Sequence, residues 1–196
     1  MSLEIDHVVF CVHDVDLAGV HLAHQYGFVS HPGGRHPDHG TANRIVPLGE
    51  SYLELVAVVD TAEAAQSLFG TWVREHASDP PTAHAVCLRT NDLDEVCARL
   101  GLHPVAMTRE TPHGVTLRWR LAGLEQALQD QVPFFVEWDI PGDAHPGRMK
   151  PGNRARIDEL VLTGDVDRLQ AWTAGAQGVI VEAGEPGIDW VGFAAG

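Results

Sequence analysis

Hydrophobic and polar positions along the chain spell one phrase three times. Ile5-Asp6-His7-Val8-Val9-Phe10-Cys11-Val12 precedes Asp14-Val15-Asp16 and an amphipathic run. His84-Ala85-Val86-Cys87-Leu88 precedes Asp92-Leu93-Asp94, and Ile157-Asp158-Glu159-Leu160-Val161-Leu162 precedes Asp165-Val166-Asp167. Each copy predicts a strand of β-branched residues followed by a helix. The first Asp caps the helix by accepting N–H bonds, and the second sits where the helix dipole favours an anion. Glycine closes each helix, at Gly27, Gly101 and Gly175.

Two copies continue with three further apolar runs. The first gives strands over 28–31, 41–48 and 52–59; the second gives strands over 104–109, 115–121 and 134–140. Both therefore spell β-α-β-β-β. The third, with runs over 179–181 and 190–193, is a partial βαββ unit. The expected organisation is a first module over 1–59, a connecting helix and linker over 60–81, a second module over 82–141, and a loop plus partial third module over 142–196. The Pro-, Gly- and His-rich stretch 142–153 reads as a loop or linker.

Composition narrows the partners. The chain carries 27 Asp+Glu against 13 Lys+Arg in 196 residues, a net charge of −14, which opposes phosphate backbones and anionic lipid. A small-molecule partner is expected, with no nucleic acid and no membrane, on a monomer or homodimer. At 44% hydrophobic and 20% charged, the chain has enough apolar content for a packed core. Cys11, Cys87 and Cys97 are far apart and odd in number, so they read as core thiols of a reducing compartment, the cytoplasm.

Candidate chemistry lies in strands. Glu54 stands inside Tyr52-Leu53-Glu54-Leu55-Val56 and Glu137 inside Phe134-Phe135-Val136-Glu137-Trp138, matching places in two repeats. A carboxylate amid apolar neighbours needs a compensating partner. His7 and His84 interrupt the first strands of the same units, and imidazole with carboxylate is a donor set for a divalent metal. His84 fits less well, because eight residues separate it from Asp92 where seven separate His7 from Asp14, so a bulge would turn its side chain. Arg118 and Arg120 share one strand face and are candidates to hold an anionic group. Trp119, Phe134, Phe135 and Trp138 are candidate cavity walls. The glycine-rich stretch 33–43 carries Arg35, His36, His39 and Asn43 as donors and reads as a loop over the cavity. His13, His21, His24, His76, His103, His113 and His145 read as surface or loop residues.

Paired βαβββ units with His on the first strand and Glu on the last resemble the vicinal oxygen chelate superfamily of glyoxalase, bleomycin-resistance and dioxygenase proteins. Asp6-His7-Val8-Val9 and Gly33-Gly34-Arg35-His36-Pro37-Asp38-His39-Gly40-Thr41-Ala42-Asn43 are similar to the motifs of its glyoxalase-like domain proteins. The resemblance implies an α+β fold in which the modules form a curved mixed sheet around a central cavity. It implies metal positions at His7, Glu54 and Glu137, with His84 as a further ligand, and a metal of the Zn, Ni, Mn or Fe type. Glu137 or Glu54 would serve as the base on a carbon next to a carbonyl. Arg118, Arg120, Trp119, Phe135, His36 and Asn43 would touch the substrate. The expected function is a metal-dependent, glyoxalase-like lyase or isomerase acting on a small oxygen-bearing substrate. The alternatives are an Fe(II) ring-cleaving dioxygenase, favoured if His84 or His36 joins His7, and a non-enzymatic small-molecule binder.

Overall fold

All three Asp-apolar-Asp steps start helices, with Asp14, Asp92 and Asp165 accepting first-turn N–H groups as N-caps. A computed structural model describes residues 2–110, 114 and 116–196, so His113 and the expected strand start at Val115 lie outside the described residues. The first unit is β1 (Glu4–Cys11), α1 (Val15–Tyr26), β2 (His31–His36), β3 (Thr41–Leu48) and β4 (Ser51–Val58). Two helices follow, α2 (Thr61–Ala64) and α3 (Leu68–His76). The second unit is β5 (Thr82–Arg89), α4 (Leu93–Leu100), β6 (Val105–Glu110), β7 (Thr116–Ala122), α5 (Leu124–Asp130) and β8 (Phe134–Trp138). The third is β9 (Ala155–Gly164), α6 (Val166–Thr173), β10 (Val179–Ala183) and β11 (Gly187–Ala195).

The first two units share one curved sheet in the order β2-β3-β4-β1-β5-β8-β7-β6. Within each unit the first and last strands run parallel, and the units join where β1 and β5 pair antiparallel. The α+β fold of paired βαβββ modules around a cavity is the one expected. The sheet curls far enough for Arg109, on edge strand β6, to hydrogen-bond Asn43 on β3, beside the other edge.

Alternation of side chains gives the sheet two apolar faces. On the outer face Val8, Leu53, Leu55, Val86, Leu88 and Phe135 pack under α1 and α4 and against Leu160, Leu162, Leu169 and Trp172 of the third unit. That unit forms its own sheet, β10-β9-β11, tied to the first by a bridge between Glu4 and Gln177. On the inner face Val9, Cys11, Val56, Cys87, Phe134 and Val136 pack against Trp72 and Val73 of α3 and Ala127 and Leu128 of α5.

Four expectations change. The second strand runs over His31–His36 rather than 28–31, so the glycine-rich stretch is mostly hairpin. Gly33 sits at a register shift between β2 and β3, where a Cβ would lie 2.1 Å from Asn43 Oδ1. The single connecting helix is two, broken at Ala65 and restarted by the Ser67 cap. Helix α5 was not expected at all, because it is short and lies between two strand runs. The 142–153 stretch is no free linker. It forms two short 3-10 turns, Gly142–Ala144 and Pro146–Arg148, and straps back over the sheet, where Gly49 N–H donates to Gly147 O and Asn153 Nδ2 donates to the Val29 and Pro47 carbonyls.

Candidate functional site

Strand β1 breaks its alternation once. The register against β5 shifts between Ile5 and His7, so Asp6 is the extra residue of a β-bulge, and both Asp6 and His7 reach the inner side of the sheet. Asp6 has no solvent exposure. Its Oδ1 lies 2.7 Å from His7 Nδ1, and its Oδ2 lies 3.0 Å from both Trp138 Nε1 and His145 Nε2. Burial alone pushes this carboxyl up, but the hydrogen bonds from His145 and His7 outweigh it and hold Asp6 well below the usual carboxylate range. An ionised carboxylate only accepts, so His7 must donate from Nδ1 and His145 from Nε2. His145 Nδ1 in turn accepts the Gly147 N–H.

With Nδ1 committed to Asp6, His7 presents Nε2 to the cavity, 3.5 Å from Glu54 Oε2. Tyr52 stacks on the imidazole at 4.5 Å and Phe134 meets it edge-on. Glu54 is shared: His36 Nε2 lies 3.4 Å from its Oε1, and Asn43 Nδ2 donates to the same oxygen. Burial would raise Glu54, but the hydrogen bond from His36 and the charges of His7 and His36, with Asn43 adding a donor, bring it down to about 2. His36 is braced from behind by Thr41 Oγ1 at 2.9 Å.

His7, Glu54, His36 and Asn43 line one wall of a cavity of about 140 Å³, and the rest of the lining is mostly apolar, with Phe69, Trp72, Trp119, Leu121, Phe134 and Trp138 prominent. The volume holds on the order of ten water-sized groups, enough for a small organic molecule. Helices α3 and α5 contribute Trp72 and Leu128 to the wall, and Arg109 reaches in from β6.

Among the expected site residues, His7, Glu54, His36, Asn43 and Trp119 come together at this cavity. Glu137, His84, Arg118, Arg120 and Phe135 do not join them. Glu137 shares its strand face with Phe135, which is buried in the outer core, and its carboxylate is held by Arg120 and the Leu93 N–H. Arg120 is spent on Glu137 and Asp94, and Arg118 is exposed on the same outer face. His84 packs beside Trp72 and His76, with its Nδ1 buried and without a partner among the described residues.

The β1–β5 seam explains these placements. Val9 pairs with Ala85, and His7 pairs with Cys87, so an approximate two-fold relates the units about Val8 and Val86. Under it His7 corresponds to Ala85. Glu54, opposite Val9, corresponds to Phe134, opposite Cys87. Asp6 corresponds to His84, which is likewise the extra residue where the register shifts again. The polar groups thus come from the first unit and the walls from both. Asp6, His145 and Arg109 were not foreseen. The eight-residue spacing from Asp6 to Asp14, equal to that from His84 to Asp92, was the available signal for the bulge.

Asp6, His7 and Cys87 bring one potential ligand atom each within 4.8 Å of one another. Burial and the Asp6 and Glu54 charges push the Cys87 thiol well above its ordinary value, so a cation there requires removing its proton and releasing Asp6 from its donors.

A family model described as a glyoxalase-like domain matches residues 5–176. No curated protein matches the chain. Among solved structures, a hypothetical protein from Staphylococcus aureus superposes with a TM-score of 0.73 at 17% identity, covering 95% of this chain and 88% of that one. A Streptomyces coelicolor methylmalonyl-CoA epimerase variant in complex with 2-nitronate-propionyl-CoA gives 0.50 at 21% identity, covering 69% and 95%. A methylmalonyl-CoA epimerase in complex with methylmalonyl-CoA and NH4+ gives 0.50 at 20%, covering 70% and 95%. At these identities the likeness is one of fold.

Proposed function

The chain belongs to the glyoxalase-like domain family of the vicinal oxygen chelate superfamily, and from that membership we propose that it is a metal-dependent lyase or isomerase of the glyoxalase type. The observation that carries the reading is the cluster His7–Glu54–His36 on the wall of a mostly apolar cavity, with Asp6 behind His7. The donor set suits a divalent first-row ion: a histidine whose far nitrogen is locked by a carboxylate, a second histidine and a glutamate. His7 Nε2, Glu54 and His36 Nε2 would hold the ion. When bound, it supplies Lewis acidity toward a substrate oxygen.

The chain's own residues do the rest. Asp6 fixes the His7 tautomer and ring orientation, and Thr41 and Asn43 orient His36 and Glu54. Glu54 is the carboxylate at the cavity among the described residues, so the proton-accepting role at a carbon next to a carbonyl falls to it rather than to Glu137. Phe69, Trp72, Trp119 and Trp138 exclude water around the reacting atoms. Every group in this set lies in one chain, so a monomer suffices, and the three buried free thiols suit the cytoplasm.

Metal analysis of protein purified without chelator tests the proposal. One divalent ion per chain is expected, and His7→Ala and Glu54→Ala should each abolish it. A metal-free protein that cannot be loaded, or full occupancy in both variants, overturns the reading. A second reading rests on His36, whose place beside His7 and Glu54 makes two histidines and one carboxylate, the donor set of Fe(II) oxygenases. Oxygen consumption on loading with Fe(II) and substrate distinguishes it from an isomerase.

A further inference from the structure

Among the described residues Arg109 has no carboxylate counter-ion. It lines the cavity from β6, and among the described residues no carboxylate lies within 4.0 Å of it. Its Nη1 donates to Asn43 Oδ1 at 3.3 Å, a neutral acceptor, and its Nε is buried with no hydrogen-bond partner. A half-buried guanidinium facing aromatic walls carries a desolvation cost that a neutral amide offsets only in part. A planar guanidinium carries N–H donors in a fork that matches the two oxygens of a carboxylate. Elsewhere in this chain Arg120 donates twice to Glu137, with Nε and Nη2 both on Oε2.

We propose that Arg109 is the anion-binding residue of the cavity and that the substrate is a small monocarboxylic acid with an apolar or aromatic body. The inference rests on the cavity being the active site, and it names the substrate class. Asn43 sets the distance scale, because it accepts from Arg109 and donates to Glu54. Two hydrogen bonds and one amide group separate the guanidinium from the Glu54 carboxylate by no more than about 8 Å. The substrate carboxylate therefore stands a few bonds from the oxygen-bearing carbon that Glu54 faces. The cavity of about 140 Å³ has room for a small organic body, which Trp72, Trp119 and Trp138 take.

The test needs no catalytic turnover. Phenylacetate and its neutral isostere phenylacetamide are titrated into chelator-treated protein, and binding is read from the fluorescence of the cavity tryptophans and by calorimetry. The acid is expected to bind at least ~10-fold more tightly than the amide, the range of a charge-assisted hydrogen bond. Arg109→Met should erase that preference, weakening the acid far more than the amide, and Arg109→Lys should keep part of it. Glu54→Gln should retain it. Equal binding of acid and amide to the wild-type protein overturns the proposal, whatever the variants do, as does a preference that survives Arg109→Met. An acid preference that appears only after metal loading and ignores Arg109 also overturns it, while leaving the metal-enzyme reading standing.

Discussion

A carboxylate with no solvent exposure must be held by donors, and Asp6 is held by three: His7, His145 and Trp138. It acts through His7, fixing the ring so that Nε2 faces Glu54. Asp6→Asn replaces an acceptor with a group that cannot satisfy three N–H donors. We expect it to cost ~3–5 kcal/mol of stability by thermal unfolding and 10–100-fold in metal affinity by titration. Acid sensitivity follows from the same groups. Asp6 and Glu54 have ordinary values of 3.8 and 4.5 and are both lowered on folding, Glu54 to about 2. Below about 4.5 the unfolded chain takes up protons that the folded chain refuses, so stability is complete above that pH and falls as the pH drops toward 2. In metal-free protein the urea midpoint should decline through this window, and Glu54→Gln should make the decline shallower. A decline of equal slope in Glu54→Gln would contradict the assignment.

Elements decide which side chains meet. The caps and strand starts were legible because Asp14, Asp92 and Asp165 act locally, each on N–H groups of its own first turn. Glu137 was misplaced because its partner choice depends on parity. Three residues separate it from Phe134, the counterpart of Glu54, and an odd step turns a side chain to the other face of a strand. The bulge at Asp6 runs the other way, bringing two neighbours to one face where simple alternation allows one. Arg109 was illegible because its relation to Asn43 exists only once the sheet has curled, across 66 positions of sequence. The 142–153 strap was read as a linker from its Pro and Gly content, yet those residues serve close packing. A Cβ on Gly147 would lie 2.5 Å from Ser51 O and 2.6 Å from Gly49 O. Gly147→Ala should displace the strap and withdraw His145 from Asp6, costing ~1–3 kcal/mol and raising protease sensitivity near 149–153. Unchanged melting and cleavage would show that the strap yields without loss.

For the whole molecule, the third unit is part of the main core rather than an appendage. Leu160, Leu162, Leu169 and Trp172 share the outer-face core with Val8, Leu88 and Phe135, and Trp172 Nε1 donates to Pro133 O at 2.6 Å. Trp172→Ala should therefore destabilise the whole chain by ~3–5 kcal/mol in one cooperative transition, while metal stoichiometry measured well below the melting temperature stays that of the wild type. A separate early transition confined to the third unit would contradict this. The approximate two-fold about Val8 and Val86 leaves the cavity chemically lopsided. The first unit sets His7 and Glu54 where the second sets Ala85 and Phe134, so one half of the barrel brings charge and the other brings grease. A molecule lodged between the halves meets a polar wall on one side and an apolar wall on the other, which fixes which way round it can sit.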